Sequence, residues 1–308
     1  MPVILFAAPG LWEEYRTALP NALIAAGVVG DVVSEAPPGT VDYIVYAPSA
    51  PLQDFTPYIR TKAVLSLWAG VERIVGNATL TQPLCRMVDP GLTEGMVEWV
   101  VGHALRHHLG MDRHIVNPGH VWDPACPPLA RERRVTVLGL GALGSACARA
   151  LAALNFNVTG WSRTPRDVAG VRCVSGEAGL QDALDGAGIV VTLLPRTPQT
   201  ENLLNAARLS LTAPGACILN PGRGALIVDA DLIAALDRGQ IGHATLDVFR
   251  VEPLPPDHPF WTHPRVTVTP HIAADTRAVT AAGVIAENIR RGEARLPYLH
   301  LVDRARGY

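Results

Sequence analysis

The chain has 308 residues, which is long for one ordinary domain and sufficient for two domains that each bury a core. Its 26 basic and 28 acidic residues give a formal net charge of -2. This near-neutral balance lacks the excess of basic residues that is typical of proteins binding nucleic acid or anionic membranes. We therefore expect neither partner and take a small molecule as the ligand.

The N-terminal segment and the cysteines indicate a cytoplasmic protein. The segment MPVILFAAPGLWEE has no basic lead-in and soon reaches Glu13 and Glu14, so it predicts a buried strand and helix rather than a secretion signal. No run approaches the ~18 apolar residues of a membrane span. The five cysteines are widely spaced and lack a CxxC pair, which favours reduced thiols over disulfides or a zinc site.

Short apolar runs alternate with helical patterns along the chain. The runs expected to form strands are VILFAA, YIVYAP, AVLSLW, VTVLGL, IVVTLL, CILN, ATLDVF and VTVTP. The helical patterns are ALIAAG, GSACARALAAL, LQDALDGA and DADLIAALDRG. This alternation predicts an α/β protein with parallel sheets and crossover helices.

The alternation breaks after the first three runs. The stretch GLTEGMVEWVVGHALRHHL predicts a helix from Gly91 to about Leu109, and the irregular segment NPGHVWDPACPPLARERR follows it. The first strand of a second domain begins near Val135, and the last helix, TRAVTAAGVIAENIRRG, returns to the first domain. We predict a discontinuous domain of residues 1–95 and 276–308 and a second domain of residues 96–275.

The run VTVLGL passes through a glycine-rich turn into a helix. Gly139, Gly141 and Gly144 form GxGxxG, with Ala142 and Leu143 between the last two glycines. Glycines allow a tight turn and a close approach of backbone N–H groups to a pyrophosphate, and the helix N-terminus favours the anion. A merely structural turn is the alternative. The strand, turn and helix together favour dinucleotide binding by a Rossmann-type, doubly wound parallel sheet.

The residues after the next strand, FNVTGW, indicate which dinucleotide is bound. NAD-binding units keep an acid ~20 residues beyond the glycines to accept the ribose hydroxyls. Here the chain has Ser162, Arg163 and Thr164 and no carboxylate. Arginine offers planar donors to a 2'-phosphate, which an acid would repel. A solvated turn that happens to carry arginine is the alternative, and we predict NADP as cofactor, with NADPH preferred over NADH.

Three further apolar runs end in polar residues. They are followed by Arg223 in NPGRG, by Asp247 and Glu252 in LDVFRVEPLP, and by His271 in TPHIAA. The carboxyl ends of strands in open α/β sheets face the ligand crevice, so these residues are expected to converge. Reduction of a 2-keto acid needs a proton donor and a cation for the carboxylate. Histidine and arginine meet these needs, and glutamate orients the imidazole.

Arg223, Glu252 and His271, surrounded by GxGxxG, LLPRTPQT and LDVFxxEPLP, resemble the D-isomer-specific 2-hydroxyacid dehydrogenase family. The segments WSRT, HPRVTVTPH and VDRARGY are most similar to its glyoxylate/hydroxypyruvate reductase A type. The resemblance implies a homodimer. It also implies that residues 96–275 are the NADP-binding Rossmann domain and that the smaller domain is flavodoxin-like and binds the substrate.

The resemblance also implies roles for individual residues. His271 would be the general acid, with Glu252 as its partner, and Arg223 would bind the substrate's carboxylate and carbonyl. Asp247 would meet the nicotinamide carboxamide. Further cofactor contacts are expected at Pro195, Arg196 and Thr197. The remaining substrate contacts are expected at Tyr46, Trp68, Ala69, Gly70 and Val71.

Two groups of residues lie outside these motifs and have no expected role in catalysis. His103, His107 and His108 lie on one predicted helix, where residues i and i+4 share a face. No Cys or carboxylate set accompanies them in the sequence, so we expect no metal site. Trp122, in the irregular segment, is a candidate for contact with a dimer partner.

The favoured function is NADPH-dependent reduction of glyoxylate or hydroxypyruvate to glycolate or D-glycerate. A D-2-hydroxyacid dehydrogenase of broader specificity is the alternative within enzymes. A phosphoglycerate-type dehydrogenase is less favoured, because it usually has a regulatory domain and an NAD-selecting acid. A dinucleotide-sensing, corepressor-like binding protein is the alternative from another class, and the lack of long charged tails counts against it.

Overall fold

The chain forms two units, each built on its own parallel β-sheet, in the computed structural model, which describes residues 1–307. Unit 1 comprises Met1–Leu92 and residues 275–307, and unit 2 comprises Thr93–Ala274. The domain divisions expected from the sequence lie at residues 95/96 and 275/276. Tyr308, the last residue of the VDRARGY segment, lies outside the described residues.

Unit 1 contains a five-stranded parallel sheet. Its strands are β1 (Val3–Ala7), β2 (Asp31–Val33), β3 (Tyr43–Tyr46), β4 (Ala63–Ser66) and β5 (Leu84–Cys85). Their order, β2-β1-β3-β4-β5, is the 2-1-3-4-5 order of flavodoxin-like sheets. Every residue of β3 and β4 is buried, as expected for strands of a parallel sheet covered on both faces.

Two helices, α1 (Trp12–Ala25) and α8 (Ala278–Glu293), pack against the sheet of unit 1. Their buried side chains recur every four residues, at Tyr15, Leu19 and Leu23 on α1 and at Ala281, Ile285 and Ile289 on α8. This spacing puts the apolar side chains of each helix on one face. The last helix of the chain therefore contributes to the core formed by the first residues.

Unit 2 contains a seven-stranded parallel sheet. Its strands are β6 (Arg134–Leu138), β7 (Asn157–Ser162), β8 (Arg172–Ser175), β9 (Ile189–Thr192), β10 (Ala216–Asn220), β11 (Ile241–Leu246) and β12 (Val266–Val268). The order β8-β7-β6-β9-β10-β11-β12 is 3-2-1-4-5-6-7 when counted within the unit, which is the Rossmann order. The switch point lies between β6 and β9. The predicted α/β fold with a doubly wound sheet is confirmed.

Helices cover both faces of this second sheet. They are α2 (Pro90–Leu109), α3 (Asp112–Ile115), α4 (Ala142–Ala153), α5 (Gly176–Leu184), α6 (Ala206–Leu209) and α7 (Asp229–Asp237). Leu180 of α5 and Leu232 of α7 belong to one buried cluster, and Val100 of α2 and Leu151 of α4 belong to another. The first residues of α2, up to Leu92, are assigned to unit 1.

Residues 116–129 have neither helix nor strand, and nearly all of them are exposed. This agrees with the irregular segment predicted there. Trp122 has 92% of its surface exposed, which is unusual for a tryptophan. Among residues 1–307, we find no helix with the length and apolar character needed to cross a membrane.

Candidate active site

The GxGxxG turn joins β6 to α4 and has the geometry of a phosphate-binding loop. Gly139 has a φ of +107°, a conformation that favours glycine. A Cβ on Gly144 would lie 1.7 Å from the carbonyl oxygen of Gly139, so this glycine lets the helix pack against the turn. A Cβ on Gly141 would meet no atom within 4 Å, so the backbone there is open to a ligand. The turn therefore fits a dinucleotide phosphate at the N-terminus of α4.

Arg163 lies at the carboxyl end of β7, close to the glycine turn. The amide of Gly139 donates a hydrogen bond of 2.8 Å to the carbonyl oxygen of Trp161, two residues before Arg163. The Ser162 hydroxyl donates to the carbonyl oxygen of Thr164 at 2.8 Å and closes a tight turn. The Arg163 side chain is exposed on this turn. Arg163 thus follows the strand beside β6, at the same end of the sheet as the glycine turn.

The PRTPQT segment follows β9, the strand beside β6 at the switch point. The Thr200 hydroxyl donates to the carbonyl oxygen of Pro195 at 2.7 Å and accepts a hydrogen bond from the Thr197 amide at 2.8 Å. Arg196 forms an ion pair of 3.4 Å with Glu201 and keeps about half of its side chain exposed. The sheet order therefore brings the three predicted cofactor segments to one edge of unit 2.

His271 and Glu252 form a hydrogen-bonded pair. The Nδ1 atom of His271 lies 2.8 Å from the Oε2 atom of Glu252. An ionised carboxylate only accepts, so this bond places a proton on Nδ1 and makes Nε2 the nitrogen that exchanges a proton with a ligand. Glu252 Oε1 accepts a second bond, of 2.8 Å, from the amide of Phe249. The imidazole is 54% exposed, which a small substrate requires.

Asp247 holds the turn that carries His271. Its carboxylate is buried and accepts hydrogen bonds from the Thr269 hydroxyl at 2.6 Å, the Ile272 amide at 3.0 Å and the Ala273 amide at 2.9 Å. Its carbonyl oxygen accepts from the His271 amide at 2.8 Å. These bonds keep His271 at a φ of +55°, which costs a residue with a side chain about 1–3 kcal/mol.

Arg223 follows β10 and is held by a buried polar network. The side-chain oxygen of Asn220 accepts from the Thr192 hydroxyl at 2.5 Å and from the Gly222 amide at 3.2 Å. The Asn220 side-chain nitrogen donates to the carbonyl oxygen of Arg223 at 3.1 Å. The half-buried guanidinium donates to the carbonyl oxygen of Gly222 at 2.7 Å. The network fixes the backbone from which the arginine side chain extends.

Gly224 connects Arg223 to the loop that carries Glu252. A Cβ on Gly224 would lie 2.0 Å from the carbonyl carbon of Phe249, so only glycine permits this approach. The amide of Phe249 binds Glu252, which in turn binds His271. The structure therefore brings the three predicted catalytic residues into one region of unit 2.

The predicted substrate contacts of unit 1 lie at the carboxyl edge of its sheet. Tyr46 ends β3 and pairs in register with Ser66, which ends β4. The Ser66 hydroxyl accepts from the amide of Trp68 at 3.1 Å and shapes the following loop. Residues 68–70 are half-buried and Val71 is buried. Burial raises the pKa of Tyr46, so its phenol stays protonated and is able to donate a hydrogen bond.

The sequence interpretation missed the residues that position the catalytic groups. Asn220, Thr192 and Thr269 were not singled out, although each stands at the end of an apolar run. A polar residue that ends a buried strand needs a hydrogen-bond partner, and this signal was present in CILN, IVVT and VTVT.

A glycine-rich turn at a switch point, an imidazole–carboxylate pair and a nearby guanidinium define an NAD(P)-dependent oxidoreductase. The family model described as D-isomer specific 2-hydroxyacid dehydrogenase, NAD binding domain, matches residues 100–273. Glyoxylate/hydroxypyruvate reductase A from Yersinia enterocolitica is 39% identical over 312 residues, covering 98% of this chain and 97% of that protein. The chain belongs to the D-isomer specific 2-hydroxyacid dehydrogenase family.

Solved structures agree with this assignment over the whole chain. A D-isomer specific 2-hydroxyacid dehydrogenase from Xanthobacter autotrophicus Py2, in complex with NADPH and MES, has a TM-score of 0.92 and 39% identity, with 100% of this chain and 99% of that chain covered. An NADPH-dependent glyoxylate/hydroxypyruvate reductase from Sinorhizobium meliloti, in complex with NADP and sulfate, has a TM-score of 0.83 and 34% identity, with 99% of both chains covered.

Proposed function

We propose that the chain is an NADPH-dependent reductase of small 2-keto acids, which converts glyoxylate to glycolate and hydroxypyruvate to D-glycerate. The observation that carries this proposal is the 2.8 Å bond between His271 Nδ1 and Glu252 Oε2, in the region of Arg223. Two relatives support the choice of substrate and cofactor. The Yersinia protein is named for this activity, and the Sinorhizobium structure contains NADP.

His271 supplies the proton of the reaction. Glu252 holds the Nδ1 proton and its negative charge stabilises the positive ring, so Nε2 is the donor. When bound, NADPH supplies the hydride for the carbonyl carbon. The carbonyl oxygen takes the Nε2 proton, which leaves a neutral ring and a 2-hydroxy acid. The guanidinium of Arg223 binds the substrate's carboxylate and polarises its carbonyl group. Oxidation reverses these roles, with His271 as the base.

We assign cofactor binding to residues 96–275. The Gly139–Gly144 turn would hold the pyrophosphate, and Ser162, Arg163 and Thr164 would hold the 2'-phosphate. The Pro195–Thr197 segment would lie along the dinucleotide. The predicted contact of Asp247 with the carboxamide stays a prediction, and its three bonds to residues 269–273 support a role in positioning His271.

We assign substrate binding in the other domain to the carboxyl edge of its sheet, within residues 1–95 and 276–308. The backbone amides of residues 69–71 would bind the substrate carboxylate, since a loop of consecutive N–H groups forms an anion site. Tyr46 and Trp68 would form the wall of the pocket. Their bulk favours a small 2-keto acid.

We also propose a cytoplasmic homodimer. The five cysteines are free thiols, which suits a reducing compartment. Exposed apolar side chains cluster in the irregular segment and beside it, at Ile115, Val116, Val121, Trp122 and Leu129. Several exposed apolar side chains in one segment favour a protein contact there. Sedimentation velocity should give twice the chain mass of 32.8 kDa, and a mass of one chain would contradict the dimer.

Steady-state kinetics test the proposed function. Glyoxylate, hydroxypyruvate, pyruvate and a bulkier 2-keto acid are each compared with NADPH and with NADH. We expect glyoxylate and hydroxypyruvate, the substrates for which the Yersinia and Sinorhizobium relatives are named, to give the highest kcat/KM. NADPH should exceed NADH by roughly 10-fold to 100-fold, because the 2'-phosphate makes charged hydrogen bonds with the protein. Absence of turnover with every acid would contradict an enzyme and favour the binding-protein alternative.

Gly224→Ala is expected to lower kcat/KM for glyoxylate by about 100-fold, because the added methyl pushes apart the loops of Arg223 and Phe249. Gly102→Ala is the matched control, since a Cβ on this helical glycine meets no atom within 4 Å. It should keep the wild-type rate. Steady-state kinetics are measured on variants whose folding is checked by circular dichroism. A wild-type kcat/KM in Gly224→Ala would show that the close approach has no role in catalysis.

A further inference from the structure

His107, Asp112 and His243 form a side-chain cluster in unit 2 that has no role in the proposed reaction. His107 belongs to the last turn of α2, Asp112 is the first residue of α3, and His243 belongs to β11. One imidazole nitrogen or carboxylate oxygen from each residue lies within 4.8 Å of those of the other two. All three residues are half-buried.

The turn between α2 and α3 brings Asp112 back to the end of α2. Gly110 has a φ of +60°, which lets the chain reverse after Leu109. The amide of Met111 donates a hydrogen bond of 3.0 Å to the carbonyl oxygen of Arg106. The backbone turn therefore places the carboxylate of Asp112, five residues after His107 in the sequence, beside the end of α2.

Each imidazole of the cluster is held by a threonine hydroxyl. His107 Nε2 lies 2.9 Å from Thr245 Oγ1, and His243 Nε2 lies 2.9 Å from Thr267 Oγ1. The parallel pairing of β11 with β12 puts Thr245 opposite Thr267. The two ring centroids are 4.8 Å apart. In metal sites a hydrogen bond to one ring nitrogen fixes the orientation of the imidazole, so both rings are held as ligands require.

We propose that His107, Asp112 and His243 bind one divalent transition-metal ion, with Zn²⁺ preferred. Two imidazoles and one carboxylate suit Zn²⁺, whereas Mg²⁺ and Ca²⁺ prefer oxygen ligands alone. A tetrahedral Zn²⁺ ion places its ligand atoms about 3.3 Å apart, so side chains whose ligand atoms lie within 4.8 Å of one another need to close by up to ~1.5 Å. Water completes the four ligands. The ion would tie α2, α3 and β11 together.

Arg106 sets the affinity of this site. Its Nε atom donates to Asp112 Oδ1 at 2.6 Å, and the carboxylate has a second oxygen for the ion. The bond orients the carboxylate, but the positive guanidinium repels a divalent ion at this distance. The site is therefore expected to bind Zn²⁺ with a roughly micromolar Kd rather than the far tighter affinity of closed structural zinc sites.

Isothermal titration calorimetry of chelator-treated protein with ZnCl₂ tests the proposal. The wild type is expected to bind one equivalent, and Asp112→Asn and His243→Gln are each expected to weaken binding by ~100-fold or more. His300→Gln, which removes a half-buried histidine of unit 1, is the matched control and should keep the wild-type affinity. Zn²⁺ at a hundred times its Kd should also raise the Tm of the wild type by ~5 °C or more.

Arg106→Gln distinguishes a metal site from a cluster that only stabilises the fold. Glutamine keeps a donor for Asp112 and removes the positive charge, so Zn²⁺ should bind ~10-fold more tightly than in the wild type. A cluster with no metal function would show no such gain.

Three results would overturn the site. They are a wild type that binds no Zn²⁺ below about 1 mM, unchanged affinity in both ligand variants, and weaker binding in Arg106→Gln. If a ligand variant fails to fold, His107→Gln replaces it. Titration with MgCl₂ checks the class of ion, because Mg²⁺ binding as tight as that of Zn²⁺ would contradict a nitrogen-rich site.

Discussion

Replacing His271 with asparagine is expected to lower kcat for glyoxylate reduction by ~100-fold or more, because the side-chain amide of asparagine is far too weak an acid to protonate the forming hydroxyl group. Asparagine tolerates the positive φ of this position and keeps an amide for Glu252, so the turn should survive. The Kd of NADPH should stay within about twofold, since the imidazole is needed for the chemical step. Single-turnover kinetics and a fluorescence titration with NADPH measure the two quantities separately.

His263→Asn is the matched control for this experiment. The Nε2 atom of His263 lies 3.4 Å from the Oδ1 atom of Asp237, so the chain offers a second histidine–carboxylate pair in the same unit. Its loss should leave kcat close to the wild-type value. If His271→Asn kept more than about a tenth of kcat, the imidazole would not be the proton donor.

Arg163→Asp is expected to reverse the choice of cofactor. The new carboxylate repels the 2'-phosphate of NADPH and accepts the ribose hydroxyls of NADH. We expect kcat/KM for NADPH to fall by ~100-fold or more, while the value for NADH changes by less than about fivefold. The ratio of the two kcat/KM values, measured at saturating glyoxylate, reports the change without the effect of enzyme concentration.

Arg166→Asp separates a direct contact from a general effect of charge. Arg166 is exposed and lies three residues beyond Arg163, so its replacement makes the same change of charge at a neighbouring position. Its replacement should change the ratio by only a few fold, because exposed charges are screened. Equal losses with NADPH and NADH in Arg163→Asp would mean that this arginine does not recognise the phosphate.

Most of the strands that could be predicted are buried on both faces, and the half-buried edge strand β12, predicted from VTVTP, is an exception. All residues of β9 and β10 are buried, and their apolar runs are evident in the sequence. The missed strands are β2, β5 and β8. The residues of β2 and β8 are exposed or half-buried, and β5 has only two residues. An edge strand has one neighbour and less need of apolar residues, so its sequence carries a weak pattern.

The site residues that could be predicted from the sequence are reactive or charged residues that follow a predicted strand. The pairing of His271 with Glu252 followed from the motifs, as did the position of the glycine turn. The support from Asp247 and Asn220 depends on backbone positions that only the folded sheet defines. The position of Asp112 also depends on the folded backbone, because the positive φ of Gly110 brings Asp112 to His107.

The most direct measurement is the fate of deuterium in one turnover. NADPH deuterated at both C4 positions is incubated with glyoxylate and the wild-type protein, and glycolate is analysed by mass spectrometry. Direct hydride transfer to the carbonyl carbon predicts one deuterium on each glycolate molecule, with a rate that falls in His271→Asn. Glycolate without deuterium, or no glycolate at all, would contradict a dinucleotide-dependent 2-keto acid reductase.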